Sequence, residues 1–395
     1  MNTNLIALLA RLIVGNSQGI PECSDNIIIP PGVTEIPDNY CDRFCSVSHN
    51  NQYTVDLSNT NVNKIGRNAF RGCGDLLTVD LSGTNITDIG ENAFSDCPDL
   101  RTVTFPASLE SIGNGAFAYT AIKKANLRET SVKEILFEAF LYCENMENVT
   151  FPSSLESIGD DAFRFSGIKK ADLGETSVKE IPYRAFLKCE NLENVTFPAS
   201  LESIGDGAFG SSGIKKADLG ETNVKEIGSN AFLECRNLEN VIFPKTYFKL
   251  DSDVFKDTNI EEFKFTCEYD MENYGYYTRA ICDYIGQNTR IKAGKNIIEA
   301  FQSCTSESNG LEIISGNPQC TGTPPIDIST TSPTKSPTMV PTDGNGSNKD
   351  DETLIYIIVG STVGGILLIS GLYYYLRLKS KNELQRTTRV GKLVF

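Results

Sequence analysis

The feature that most constrains this chain is a repeat within its own sequence. Residues 192–232, LENVTFPASLESIGDGAFGSSGIKKADLGETNVKEIGSNAF, recur in nearly the same form 46 residues earlier and again 46 residues before that. A shorter period runs through the same text, because Phe186, Phe209 and Phe232 lie 23 residues apart. A fixed period of about 20 to 50 residues is typical of repeat architectures, in which successive units stack on one another.

Each repeat contains a short apolar–polar–apolar segment, which is the pattern of a β-strand with one buried face. Ten such segments are predicted as strands, at residues 55–57, 79–81, 103–105, 125–127, 149–151, 171–173, 195–197, 217–219, 241–243 and 263–265. We expect the outer two side chains of each segment to point into the core and the middle one to point out. Strands that recur about every 23 residues stack in parallel, ~4.8 Å apart.

A phenylalanine follows each of the first nine strands, and successive phenylalanines lie 23 residues apart from Phe94 onward. Each is preceded by a small residue and, further back, by an isoleucine or leucine. The nine predicted core phenylalanines are Phe70, Phe94, Phe117, Phe140, Phe163, Phe186, Phe209, Phe232 and Phe255. One coil, meaning one repeat unit, cannot bury its phenylalanine alone, so its neighbours must do so. The spacing therefore predicts a continuous column of phenylalanines through the core.

The coils are of two unequal kinds. Those with Cys143, Cys189 and Cys235 run eleven residues from the phenylalanine to the end of the next strand, and the intervening coils run ten. These cysteines lie two coils apart, about 10 Å at the strand spacing, which exceeds disulfide reach. We interpret them as buried small residues rather than as a redox or metal stripe. Cys73 and Cys97 lie in adjacent coils, so the spacing allows a disulfide between these two.

Two segments carry a resemblance to a known family. Residues 201–209, L-x-x-I-x-x-x-A-F, and residues 139–152, A-F-x-x-C-x-x-M-x-x-V-x-F-P, resemble the BspA-like (treponemal-type) leucine-rich repeat. The resemblance covers residues 27–265 and implies a leucine-rich-repeat solenoid of α/β-type repeats. It also implies a parallel β-sheet on the concave side and a short helical or irregular convex side. BspA-like relatives imply adhesion to host or matrix proteins and to other cells.

The remaining sequence indicates a surface protein with one membrane anchor. We predict a signal peptide at 1–19, an N-terminal cap with a degenerate first repeat at 20–50, leucine-rich repeats at 51–265, a cysteine-containing C-terminal cap at 266–320, a Ser/Thr/Pro-rich stalk at 321–353, a transmembrane helix at 354–376 and a cytoplasmic tail at 377–395. The segment 354–376 is uncharged and long enough to cross a bilayer. Six basic residues and one acidic residue in the tail place it inside the cell. The prediction is a single-pass type I protein of the plasma membrane.

Cysteines in the two caps are candidates for disulfides. They are Cys23, Cys41, Cys45, Cys267, Cys282, Cys304 and Cys320. The four in the C-terminal cap resemble those of disulfide-stapled caps, and four cysteines allow three pairings. Cys41, Cys45 and His49 would align on a helix as metal ligands, but no fourth ligand is evident. A disulfide-closed cap is the preferred interpretation, and we predict no metal and no cofactor.

The composition favours a binding protein over a nucleic-acid-binding protein or an enzyme. A net charge of −15 argues against a nucleic-acid partner, and the single histidine and the lack of catalytic motifs argue against an enzyme. The predicted ligand-binding positions on the concave face are Lys124, Asn126, Thr150, Lys170, Asp172, Thr196, Lys216 and Asp218. Glycosylation sequons occur at Asn85, Asn148, Asn194 and Asn345. Glycans at Asn148 and Asn194 would obstruct that face.

The favoured hypothesis is a cell-surface binding protein for adhesion or recognition. Its ligands would be proteins or carbohydrates of a host, a matrix or neighbouring cells. One alternative is a structural coat protein without a dedicated ligand, and another is a receptor that signals through an adaptor on the short tail. Gly360-x-x-x-Gly364 in the predicted span is a motif through which two such helices pack, so a homodimer is a further hypothesis.

Overall fold

The computed structural model describes residues 29, 32–40, 52–245, 248–266, 289–293 and 298, and the backbone of 311–313. The chain divides into two units, residues 1–328 and 329–395, and all of the described residues lie in the first. They form a leucine-rich-repeat solenoid in which every strand pairing is parallel.

The strands in chain order are β1 (Glu35–Ile36), β2 (Tyr53–Asp56), β3 (Lys64–Ile65), β4 (Leu76–Asp80), β5 (Asp88–Ile89), β6 (Thr102–Thr104), β7 (Ser111–Ile112), β8 (Lys124–Asn126), β9 (Glu134–Ile135), β10 (Asn148–Thr150), β11 (Ser157–Ile158), β12 (Lys170–Asp172), β13 (Glu180–Ile181), β14 (Asn194–Thr196), β15 (Ser203–Ile204), β16 (Lys216–Asp218), β17 (Glu226–Ile227), β18 (Asn240–Phe243), β19 (Lys249–Leu250), β20 (Glu262–Phe265), β21 (Arg290–Ala293) and β22 (Leu311–Ile313). We call the odd-numbered strands β1 to β19 the short strands and all the others the main strands.

The main strands confirm the ten predicted segments and their alternation. In the first coil Val55 and Leu57 are buried and Asp56 between them is exposed. Most strands begin one residue earlier than predicted, as β8 does. The backbone N–H of the last predicted residue still bonds to the next coil, as Leu57 does to Asp80 O at 2.8 Å. Two further main strands, β21 and β22, continue the sheet in parallel within the segment that the sequence assigns to the C-terminal cap.

The short strands form a second set of parallel sheets, which the sequence analysis did not predict. Each contains two residues, and the second is a buried isoleucine or leucine, such as Ile181 in β13. Their orders are β1-β3-β5-β7-β9-β11 and β13-β15-β17-β19. A Cβ added to Gly159, which follows β11, would lie 2.5 Å from the carbonyl carbon of Leu136. Backbones of neighbouring coils therefore approach closely here.

The main sheet is interrupted regularly. Its orders are β10-β8-β6-β4-β2, β12-β14 and β16-β18-β20-β21-β22. Steps of 24 residues, such as β8 to β10, pair three residues. The 22-residue step from β6 to β8 pairs one, Thr102 with Lys124, and those from β10 to β12 and from β14 to β16 pair none. Phe-Pro follows β6, β10 and β14, and Pro244 likewise follows β18. The 22-residue step from β18 to β20 nevertheless pairs four residues, so the proline alone does not cause the interruptions.

The side of each coil that carries the core phenylalanine is a series of turns, not a helix. No helix occurs in residues 52–245 and 248–266. The side of the repeats that was predicted to be either short helical or irregular is irregular there, and the repeats form a β-solenoid rather than α/β-type units. Asn92 and Asp96 have φ of 52° and 59°, which a right-handed helix does not allow. The N–H groups of Asn92, Phe94 and Asp96 instead donate to the next coil at 2.8–2.9 Å.

The nine phenylalanines form one continuous column in the core. Each ring stacks on the next with centroids 5.2–5.6 Å apart and interplanar angles of 3–14°. All nine side chains are at most 1% exposed. Phe151 packs its ring edge against Phe163 at 89°, so strand and turn residues share one core.

We expect Phe163→Ala to lower the free energy of unfolding by about 3–5 kcal/mol, because it removes a fully buried ring and leaves a cavity between two stacked neighbours. Urea unfolding measures the loss. Phe137→Ala is the matched control, since Phe137 is 43% exposed and its truncation is expected to cost about 0.5 kcal/mol. Equal losses in the two variants would contradict the stabilising role of the column.

Candidate functional site

The eight predicted ligand-binding side chains lie on the outward side of the main strands, here called the main-strand face. Lys124 and Asn126 are on β8, Thr150 on β10, Lys170 and Asp172 on β12, Thr196 on β14, and Lys216 and Asp218 on β16. Thr150 is half-buried and the other seven are exposed. The buried alanines between them, Ala125, Ala171 and Ala217, direct them outward by the alternation of the strand.

Parallel register brings these side chains into columns across the coils. Lys124 pairs with Asn148, Lys170 with Asn194, and Lys216 with Asn240. In the second column Asn126 pairs with Thr150, and the Thr150 hydroxyl donates to Asn126 Oδ1 at 2.7 Å. Hydroxyl, amide and ammonium groups therefore recur along the face.

On β12 and β16 the lysine and the aspartate of the same strand form an ion pair. The ion pairs are Lys170 Nζ to Asp172 Oδ2 at 3.1 Å and Lys216 Nζ to Asp218 Oδ2 at 2.9 Å. The hydrogen bond from Lys170 is the main reason that the pKa of Asp172 is lowered. Each pair joins one positive and one negative charge, so this part of the face carries little net charge.

The arrangement can form hydrogen bonds but offers no reactive group. Within the described residues, no group of three histidine, cysteine or acidic side chains could hold a metal. Outward positions of the ten predicted strands carry no aromatic ring, although aromatic residues are the usual anchors of tight interfaces. The main-strand face is thus suited to neutral polar ligands contacted at many repeated points.

The cysteines of the repeats form part of a buried column three residues after each core phenylalanine. Cys73, Cys97, Cys143, Cys189 and Cys235 are all buried and free, so the disulfide left open between the first two is absent. The Cys143 thiol lies 3.2 Å from Phe117 O in the preceding coil and 3.4 Å from the Thr120 hydroxyl. Burial raises the pKa of Cys143 to about 11 and of Cys189 to about 12. The Cys143 and Cys189 thiols are therefore protonated and structural.

A second surface carries aromatic side chains that the sequence analysis did not single out. It is formed by the turns around the core phenylalanines, here called the turn face. Tyr119, Tyr142 and Phe165 stack across three successive coils, with centroids 4.9 and 4.3 Å apart. Lys188 Nζ and the Arg164 guanidinium each lie 5.1 Å from the centre of the Phe165 ring.

Three carboxyl groups on the turn face are partly withdrawn from water. Burial is the largest cause that raises the pKa of Glu138, Asp160 and Asp161. Asp161 also raises the pKa of Glu138, and Arg164 lowers it. Arg164 makes an ion pair with Asp161 at 3.2 Å, which opposes the effect of burial there. Perturbed carboxyl groups of this kind concentrate at functional surfaces.

Comparison with known proteins identifies the repeats. The sequence profile of the BspA type leucine rich repeat region matches six copies, over residues 63–176 and 168–285, which is more than half of the chain. The chain belongs to the BspA-type leucine-rich repeat family. A comparison with curated proteins gave no significant match.

A solved structure of a similar protein agrees with the fold of this BspA-type repeat protein. A leucine-rich repeat protein from Bacteroides ovatus is 25% identical, with a TM-score of 0.53, covering 74% of this chain and 78% of that one. A leucine-rich repeat protein of T. pallidum is 27% identical, with a TM-score of 0.36, covering 40% of this chain and 75% of that one.

Several predictions for this BspA-type protein fall outside the described residues. They concern all seven cap cysteines, His49, Asn345, Gly360 and Gly364, the signal peptide, the stalk and the tail. Among the described residues no helix is long and apolar enough to cross a bilayer, and residues 354–376 are not among them. Asn148 and Asn194 are exposed on the main-strand face, and Asn85 is exposed between β4 and β5.

The aromatic stack has a sequence signal that alignment of the repeats would have revealed. Position two after each core phenylalanine is aromatic in three successive coils, at Tyr119, Tyr142 and Phe165. In other BspA-type coils of this chain it is Gly72, Asp96, Lys188, Ser211, Glu234 or Asp257. Residues at this position have positive φ and lie at the turn surface.

We expect Glu138→Gln to raise the free energy of unfolding at neutral pH. The raised pKa means that the folded state binds the proton more tightly than the unfolded chain, so stability falls as pH rises past the ordinary pKa of about 4.3 toward the folded value. The neutral amide of the variant carries no charge to desolvate, so the gain should vanish near pH 4. Denaturant titrations at both pH values measure it.

Glu147→Gln is the control with the opposite sign, because the hydrogen bond and charge of Lys169 lower the pKa of exposed Glu147. It should lower stability at neutral pH. A loss of stability in Glu138→Gln at neutral pH would contradict the desolvation of Glu138.

Proposed function

We propose that this BspA-type protein is a cell-surface binding protein that recognises neutral polar ligands through its main-strand face. The single observation that carries the proposal is the repeated, charge-balanced column of lysine, aspartate, threonine and asparagine side chains on successive strands. Glycans and polar protein surfaces of a host, a matrix or a neighbouring cell have the matching chemistry. The family membership supports a surface-type repeat protein without supplying a ligand.

The physical basis of this proposal is that equivalent side chains recur several times along the main-strand face. Equivalent side chains recur every 46 residues, as Lys170-Ala-Asp172 and Lys216-Ala-Asp218 do. A ligand that itself repeats, such as a polysaccharide, can engage several equivalent positions at once. Linked weak contacts then give an avidity far above that of one contact. Such binding does not need the aromatic anchors that the main-strand face lacks.

Surface presentation is part of the proposal and rests on the sequence. The predicted signal peptide, stalk, span and basic tail would hold the solenoid outside the cell. We expect an epitope tag inserted after residue 19 to bind antibody on intact cells, and a tag after residue 395 to bind only after permeabilisation. Staining of the C-terminal tag on intact cells would contradict the orientation.

The main-strand face is tested by replacing its three lysines. We expect Lys124→Ser, Lys170→Ser and Lys216→Ser together to weaken binding of cells that display the full chain to arrays of glycans and matrix proteins by at least about tenfold, or about 1.4 kcal/mol. The control replaces three exposed lysines beside the short strands, Lys133→Ser, Lys179→Ser and Lys225→Ser, with the same change in charge. Equal effects, or no saturable binding by the parent chain, would contradict the proposal.

A structural coat is the second candidate, and one observation favours it. The sequons at Asn148 and Asn194 are exposed in the middle of the main-strand face, and glycans there would cover the proposed contacts. Mass spectrometry of the protein from its native cell surface distinguishes the two functions. Full occupancy at both asparagines favours the coat, and unmodified asparagines favour ligand binding.

A further inference from the structure

Exposed apolar side chains concentrate on one part of the turn face. Among the described residues, the large hydrophobic side chains that are exposed are Tyr119, Phe137 and Tyr183, at 47%, 43% and 39%. All three belong to the four successive coils whose core phenylalanines are Phe117 to Phe186. Together with Tyr142 and Phe165 they define the aromatic patch. Clustering of this kind marks an interaction site, whereas single exposed apolar residues need no explanation.

A series of contacts runs from the stacked rings of the aromatic patch to the backbone of Tyr183. Arg164 lies over the Phe165 ring and makes an ion pair with Asp161. The N–H of Asp161 donates to Tyr183 O at 3.0 Å. Arg164 and Asp161 therefore connect the stacked rings to Tyr183.

Cations at the patch are held on ring faces. All three cation–π contacts found in the described residues lie here: Arg164 and Lys188 over Phe165, and Arg184 over Tyr183 at 4.5 Å. Arg164 is neutralised by Asp161. Lys188 makes no ion pair with a described residue, and Arg184 lies near Asp161 without one. Lys188 beside the half-buried Phe165 ring and Arg184 beside the exposed Tyr183 ring are thus available to a partner.

The ring geometry selects the kind of partner. Within the stack, Tyr142 has its faces covered by Tyr119 and Phe165, and Phe165 meets Lys188 and Arg164. The stack consequently presents ring edges, which are the positive part of the aromatic quadrupole. Sugars pack on ring faces, and in the stack both faces of Tyr142 are occupied by its neighbours. Carboxylates and carbonyl oxygens are attracted to ring edges and to unpaired cations.

We infer that the aromatic patch is a second binding surface, which takes an acidic polypeptide segment with apolar side chains. Its carboxylates pair with Arg184 and Lys188, and its apolar side chains pack on Phe137, Tyr119 and Tyr183. Tyrosine and arginine are the residues most enriched at the energetic centres of protein interfaces. The inference does not depend on a ligand at the main-strand face.

The repeats themselves supply replacements that should preserve the fold. Phe137 aligns with Asn114, Tyr142 and Lys188 with Ser211, and Arg184 with Asn230. The patch variant is therefore Phe137→Asn, Tyr142→Ser, Arg184→Asn and Lys188→Ser. Tyr142, Arg184 and Lys188 have φ of 53–58°, and Ser211 and Asn230 adopt φ of 52° and 58° at the aligned positions. The charge control is Lys169→Ser with Lys215→Ser, which also removes two cations but leaves the turn face intact.

The probe is a library of random 12-residue peptides displayed on phage, selected against the immobilised full chain in detergent. We expect the enriched peptides to combine Asp or Glu with apolar residues. Their affinity should fall by at least about tenfold for the patch variant and stay unchanged for the charge control. Lys188→Glu introduces the residue that Glu234 supplies at the aligned position of a later coil, and it should also weaken peptide binding. This single substitution keeps the test valid if the fourfold variant unfolds.

Three results would overturn the inference. One is a selection that enriches no peptides or peptides without acidic residues. Another is undiminished binding to both the patch variant and Lys188→Glu. The third is a glycan array that binds the full chain and loses that binding in the patch variant, since the surface would then be a carbohydrate site.

Discussion

The stacked phenylalanine column is the interaction on which the rest of the structure depends. Each ring between Phe94 and Phe232 is covered on both faces by rings of neighbouring coils, 5.2–5.6 Å away, so no coil is stable alone. From Phe94 onward the column keeps a 23-residue period at its own position. Main strands then absorb the difference between the two kinds of coil, as steps of 24 and 22 residues, and both interruptions of the main sheet fall at 22-residue steps, from β10 to β12 and from β14 to β16.

Because the core residues repeat from coil to coil, the coils differ from one another mainly at the surface. The main-strand face and the turn face differ in how far they follow the repeat. The main-strand face carries its lysine–aspartate pairs two coils apart, which favours repeating ligands that contact several equivalent positions at once. The turn face departs from the repeat in a few central coils, where Tyr119, Tyr142 and Phe165 replace small or charged residues. Because these aromatic side chains occur in only a few coils, a partner that binds them can dock at only one position along the solenoid. Specific recognition is therefore possible on an otherwise uniform solenoid.

Much of the fold was predictable, and the failures have physical causes. Alternation in Val55-Asp56-Leu57 revealed the main strands because three residues suffice to show a period of two. The short strands were missed because two residues, as in Glu180–Ile181, show no period at all. Helices on the turn side were an open alternative until positive φ at Asn92 and its equivalents excluded them. The eight candidate positions lie on one face of the main strands, as the alternation implied, but their ion pairs were not predicted.

By itself the sequence determined the length of the coil, the residues that are buried and the family, because those follow from spacing and hydrophobic pattern. Tertiary structure alone decided which side chains meet across coils: the Cys143 thiol with the Phe117 carbonyl, Lys170 with Asp172, and Tyr142 between two rings. The reason is that a spacing of 23 residues specifies the order of the coils. Contacts between surface side chains depend on backbone angles and on distances of a few ångströms, which spacing does not specify.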